Sequence, residues 1–188
     1  MNENRINWID VETTGLHQDC ELLEMALIVT DNNLKVLGQA TAVIHQPPSV
    51  LETMDDWCTK THTASGLVKE CQESETNIEQ AEAMLLSVME ECGSLGQILG
   101  GASVHFDRRV LRQHCPNLES QGLHYRNFDV SVIKQAVLRW WPGLVELPPS
   151  KNVHRALPDI LESIEHTKWF REHLMLNPKA LAGRPYIS

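Results

Sequence analysis

At 188 residues, with 42% apolar and 22% charged side chains, the chain is long enough for one domain with a full core and has an ordinary globular balance. It carries no apolar run near the ~18 residues of a membrane span, and its start, MNENRINW, has one basic residue and no apolar signal core. A net charge of −9 argues against a grip on long nucleic acid, whose affinity comes largely from phosphate neutralisation, yet leaves room for a short anionic ligand held locally. The five cysteines (Cys20, Cys58, Cys71, Cys92, Cys115) are odd in number and form no CxxC pair. That pattern points to a reducing, cytoplasmic-type compartment, or a mitochondrial one if a presequence has been removed, with neither a disulfide framework nor a zinc site.

In chain order, 5–11 reads as a first strand, 21–31 as a second and 34–46 as a third, with the turn DNN between the last two. These predict an antiparallel meander ended by Pro47 and Pro48. Short helices are expected over 49–57 and 61–72. The segment 77–93 is a clear helix, because Ile78, Ala81, Met84, Leu85, Val88 and Met89 follow helical spacing and Gly93 supplies the stop. A strand over 96–103 follows, with Ser103 placed to cap the helix VHFDRRVLRQHC. Another strand (124–131), a helix ending before Pro142, a loop (143–153) and a final helix from about Pro158 to Leu176 complete an α/β domain with a mixed sheet. One domain over 1–176 and a tail over 177–188 are expected.

The stretch NWIDVETTGL places Asp10 and Glu12 two apart in a strand, so both project from one face while Ile9 and Val11 project from the other. Asp107 sits about one turn into its helix, His154 lies before the last helix, and Asp159 falls at that helix's start. Singly, each has an ordinary reading: the two aspartates as first-turn acids facing a helix dipole, the histidine as a surface residue. Together, four converging carboxylates with no cation among them would repel unless divalent metal sat between them. Oxygen ligands of this kind suit Mg²⁺ or Mn²⁺, and two such ions ~3.5–4 Å apart can clamp the attacking and leaving oxygens of a phosphodiester displacement. His154 could take the proton from the attacking water.

The sequence resembles the DEDD exonucleases of the histidine-bearing branch through DVETTGL, a mid-chain helical Asp and HRALPD. More narrowly, MDDWCTKTHTASGL (54–67), HYRNFDVS (124–131) and HRALPDILES (154–163) resemble the oligoribonuclease family over about residues 5–175. The resemblance implies an RNase H-like exonuclease fold and a 3′-to-5′ exoribonuclease. Such enzymes cleave very short RNA, especially dinucleotides such as pGpG, to mononucleotides. It carries the metal-ligand role to Asp10, Glu12, Asp107 and Asp159, and the general-base role to His154. It makes Leu16 a wedge between bases and has Trp57 and His62 line the site. Ser103, Arg126 and Ser131 become a 5′-phosphate cap and Tyr125 a base-stacking ring, with Tyr125 and Arg126 supplied across a homodimer interface. Arg forks suit phosphate, and aromatic faces stack on any base.

Three departures stand out: GAS at 101–103 where the family usually has GNS, Phe106 before Asp107, and HRALPD where two acids are common. Pro158 is tolerable at a first helical position but should push Leu157 out of helical geometry and shift His154 relative to Asp159. A DNA-directed proofreading exonuclease and a non-catalytic dinucleotide binder stay open as alternatives.

Overall fold

The computed structural model describes residues 4–143, 148–150 and 153–175; the expected tail and part of the 143–153 loop lie outside these. Strands β1 (Ile6–Thr13), β2 (Leu22–Thr30) and β3 (Val36–Val43) form the expected antiparallel meander. β4 (Gln97–Gly101) adds to the other side of β1 in parallel, and β5 (Leu123–Asp129) adds to β4, giving the order β3-β2-β1-β4-β5. All nine residues of β2 are buried, because the strand has neighbours on both edges and helices on both faces.

Strand alternation sorts side chains into two cores. Ile9, Val11, Met25 and Leu27 pack with Leu85 and Met89 of α4 (Ile78–Glu91, the fourth helix in chain order) and Val110 of α5 (His105–His114). On the opposite face Trp8, Ala26 and Ile28 pack with Val137 of α6 (Val130–Trp140) and with Ile160, Ile164 and Phe170 of α7 (Ala156–His173). Burying each large apolar side chain contributes about 1.5–3 kcal/mol, so these layers hold α7 against the same sheet face that carries Asp10 and Glu12. Gly100 matters to this packing, since a Cβ there would lie 2.9 Å from Trp8 Cε3.

Helix boundaries differ from the sequence reading in the 48–73 region. Instead of helices over 49–57 and 61–72, there is a single turn, α1 (Pro48–Leu51), then α2 (Asp56–Ala64) and α3 (Leu67–Glu73). Asp55 starts α2 by accepting the Cys58 backbone N–H at 2.7 Å, and Gly66, in the left-handed region at φ +82, separates α2 from α3. α4 begins on a reciprocal cap: Asn77 accepts from the Gln80 N–H at 2.8 Å, and Gln80 accepts from the Asn77 N–H at 2.9 Å. A π-type turn over Leu118–Gly122 has no counterpart in the sequence reading.

Ser103 does not cap α5. Its φ of +58 turns the side chain away, its N–H donates to Asp129 Oδ1 at 3.0 Å, and its hydroxyl lies 3.5 Å from that of Ser131. Nor does Pro158 displace Leu157. α7 starts two residues earlier, at Ala156, so Leu157 is helical, and Pro158 occupies a first-turn position whose N–H would have no intrahelical acceptor.

β1 outruns its parallel neighbour. The β1–β4 register ends at Trp8↔Gly100, whereas β1 continues to Thr13. Beyond Trp8 the strand has no ladder on that side, and the acidic side chains gather there.

Candidate active site

Asp10 and Glu12 point toward α7, whose first turn delivers Asp159. One carboxylate oxygen from each of these three lies within 4.8 Å of the others. Asp107 enters from the first turn of α5, and its Oδ1 accepts the Val11 N–H at 3.1 Å, which replaces the missing β4 ladder. All four acids and His154 line one cavity of about 250 Å³.

Crowding and burial raise every one of these carboxyls above its usual range. Glu12 is pushed up to about 8, chiefly by burial and then by Asp159, Glu24 and Asp107, while Arg155 pulls it back. Asp159 rises to about 6 through burial, opposed by His154 and assisted by Glu162 and Glu24. Burial drives Asp10 and Asp107 upward as well. Asp107 adds to the shift of Asp10, and the Val11 N–H restrains that of Asp107. Arg155 is the cation that acts on Glu12, and its guanidinium is committed to Glu24 and Glu70. An oxygen-only donor set with unmet negative charge fits a hard divalent cation.

His154 is half-buried at φ +54 and edge-on to the Trp57 ring, with centroids 5.1 Å apart. It also lines an adjoining cavity of about 440 Å³ with Ser103, Ser131, Lys134 and His166. Leu16 is 80% exposed beside the acidic cavity, and Arg109 holds its loop by donating to the carbonyls of Leu16, His17 and Gln18 at 3.1–3.3 Å. Trp57 is also exposed. Ser131 joins Ser103 on Asp129, donating its hydroxyl to the same Oδ1 at 2.5 Å.

His62, which the resemblance has line the site, sits next to Glu12 without lining either cavity. It is 1% exposed, its Nε2 lies 3.1 Å from the Thr13 carbonyl and 4.0 Å from Glu12, and burial lowers its pKa. There it braces the end of β1. Tyr125 and Arg126 sit on β5, exposed, with the guanidinium carbon 5.0 Å from the ring centroid, and neither lines the two cavities reached by the acids.

The family described as exonuclease matches residues 7–167. An oligoribonuclease from Chromobacterium violaceum is 41% identical over 178 residues, covering 93% of this chain and 98% of that protein. One from Marinobacter nauticus is 42% identical over 175 residues (92% and 97% covered), and one from Neisseria meningitidis 38% over 186 (97% and 99%). The chain belongs to the oligoribonuclease family. Membership makes it an exonuclease, and so an enzyme. Among solved structures, Escherichia coli exonuclease I in complex with single-stranded DNA superposes with a TM-score of 0.72 at 16% identity over 92% of this chain. Exonuclease I of Methylocaldum szegediense superposes at 0.66 and 20% identity over 91%. This chain spans 41% of each of those longer chains, and the likeness establishes the fold: mixed α/β and RNase H-like, as expected.

Around the acids of this oligoribonuclease-family chain stand residues that sequence reasoning passed over. Glu24 is the cross-strand partner of Glu12 and fully buried, and Arg155 follows His154 directly. Asp129 gathers both serines. Glu24 had a signal: a lone charge inside the apolar run LLEMALIV, on the face of Glu12.

Proposed function

We propose that the protein is a 3′-to-5′ exoribonuclease acting on very short oligoribonucleotides, dinucleotides such as pGpG above all, and releasing nucleoside 5′-monophosphates. One observation carries this: four carboxylates and a histidine from β1, α5 and the start of α7 line one small cavity. Asp10, Glu12, Asp107 and Asp159 would hold two divalent ions, Mg²⁺ or Mn²⁺. Such ions supply charge stabilisation for the phosphoryl centre and a more acidic bound water.

His154, at the cavity edge, takes the proton from the attacking water. Leu16, solvent-exposed beside the acids, inserts between bases, and Trp57 backs His154. Ser103 and Ser131, held together by Asp129, receive the substrate's 5′ phosphate. Tyr125 and Arg126, set apart from the cavities of their own chain, close that cap from the second copy of a homodimer. A closed cap rejects longer strands, which agrees with the −9 charge. A cytoplasmic setting fits five free cysteines and the bacterial relatives.

The test is a competition between a 5′-phosphorylated diribonucleotide and a single strand of ~20 nucleotides. Preferential cleavage of the dinucleotide to mononucleotides, abolished by EDTA, is expected. Preference for the long strand, in RNA or DNA, would reject the cap, and binding without product in Mg²⁺ and Mn²⁺ would reject catalysis.

A further inference from the structure

The acidic cavity is not the sole charged feature at the start of α7. Arg155, immediately after His154, is pinned on two sides. Its Nε and Nη2 donate to the two oxygens of Glu24 at 3.0 and 2.9 Å. Its Nη1 and Nη2 donate to the two oxygens of Glu70 at 3.1 and 2.7 Å. The same Nη1 reaches the Ser65 carbonyl at 3.4 Å, and Glu24 Oε2 also accepts the Ala156 N–H at 3.0 Å. Residues 155 and 156 are thereby fastened to β2 and to the α2–α3 junction. The Glu24 end is buried, its side chain only 2% exposed.

His154 is the next residue outward, and its backbone is in the left-handed region at φ +54. A non-glycine residue persists there only where its surroundings over-determine it. Trp57 bounds its ring, and the doubly held Arg155 fixes the following peptide. A planar guanidinium with five donors can satisfy two carboxylates at once, which an ammonium cannot.

We infer that Arg155, clamped between Glu24 and Glu70, is the positioning residue that orients His154 for proton abstraction. The inference rests on the general-base role of His154 proposed above. Arg155 touches neither substrate nor reacting water; it acts through His154. Losing the clamp frees the His154 backbone to leave its left-handed geometry. A misplacement of about 1 Å at a reacting group can cost roughly 10²-fold in rate.

The test compares kcat and KM on a 5′-phosphorylated diribonucleotide at saturating Mn²⁺, using the full chain. The variants are Arg155→Ala, Arg155→Lys and Glu70→Gln, each in the native and the His154→Ala background, with thermal melting alongside. Arg155→Ala should lower kcat by roughly 10²-fold and leave KM within about twofold. In the His154→Ala background the same change should add less than about threefold, because residues that act as a unit are non-additive. Arg155→Lys keeps the charge but not the fork, and its kcat should stay at least about tenfold down. Glu70→Gln opens only the exposed side of the clamp. It should give a milder kcat loss with the same non-additivity, and it serves as the probe if Arg155→Ala does not fold. Equal losses in both backgrounds, or full recovery with lysine, would overturn the positioning role while leaving the proposed function standing. If His154→Ala alone keeps the native kcat, the base assignment itself fails and this inference goes with it.

Discussion

Two acidic groups lie side by side in this molecule and are solved in opposite ways. Glu24 and Glu70 share Arg155, with oxygens and donors matched at 2.7–3.1 Å, so the protein neutralises them itself. Asp10, Glu12, Asp107 and Asp159 have burial, mutual repulsion and, among the described residues, no such arginine, and their carboxyls rise accordingly. Glu12 and Glu24 are even cross-strand partners. Position in the sheet therefore does not separate the two groups; the presence of an internal counter-charge does. An acid cluster left unneutralised beside one that is neutralised is a place prepared for a cation from outside.

The comparison breaks hardest under Asp107→Asn. The amide oxygen can still accept the Val11 N–H, so the fold should persist and the metal-free protein should melt at the same temperature or higher. Hydrolysis of a diribonucleotide should fall by at least about 10³-fold, since metal-bound charge stabilisation is worth several kcal/mol and each 1.36 kcal/mol is tenfold. A variant that cleaves at the native rate in Mg²⁺ would remove Asp107 from the metal set.

The opposite result is expected in the neutralised group. Glu24→Gln leaves Arg155 with half its partners and the Ala156 N–H with a weaker acceptor. Breaking a buried pair costs about 3–5 kcal/mol, and the retained Glu70 keeps the loss near the lower end. At about 2–4 °C per kcal/mol for a chain of this size, melting should drop by roughly 6–12 °C. If Glu24→Gln instead stabilises the protein as Asp107→Asn does, the two clusters are not different in kind.

A third test titrates the unneutralised group. With folded-state values raised to about 8 for Glu12 and about 6 for Asp159, against ordinary values of 4.5 and 3.8, the folded protein holds more protons than the unfolded chain between these limits. Stability of the metal-free protein must then fall as pH rises through about 5 to 8. Added Mn²⁺ should raise the melting temperature more at pH 8 than at pH 6, because protons compete for the same oxygens. A pH-independent melting temperature in EDTA would mean that the carboxylates are not desolvated together.

Much of this contrast was legible in the sequence, and the reason is locality. Period-two alternation in NWIDVET puts Asp10 and Glu12 on one face regardless of what packs there, and the meander follows from short apolar runs and one turn. The resemblance of HRALPD and DVETTGL to known exonucleases tied distant acids together. The clamp was hidden because its bonds join residues 131 and 85 positions apart, and nothing local marks Arg155 as anything but a solvated arginine. The burial of His62 was hidden too: the Asp55 cap in MDDW starts α2 at Asp56, ahead of the helix expected over 61–72, and the ring packs against the end of β1. Ser103 likewise carries a capping residue's chemistry, but Asp129 takes its N–H and the left-handed backbone withdraws its hydroxyl.

The gentlest probe is Pro158, the position where the family commonly carries a second acid. In the folded chain the N–H that proline lacks belongs to the first turn, where no carbonyl would accept it, and Asp159 already makes the first bond, to the Arg155 carbonyl at 3.1 Å. Pro158→Asp therefore restores no hydrogen bond to the helix. It adds one charge that the α7 dipole favours by about 0.3–1 kcal/mol and that the neighbouring unneutralised acids oppose. These terms nearly cancel, so kcat on a diribonucleotide should change by less than about twofold at saturating metal. At limiting metal, the added carboxylate should strengthen cation binding, and the Mn²⁺ concentration for half-maximal activity should shift downward. A large gain in kcat at saturating metal would mean instead that Pro158 distorts the His154–Asp159 geometry, and that this chain's acids are held less favourably than the cavity they line suggests.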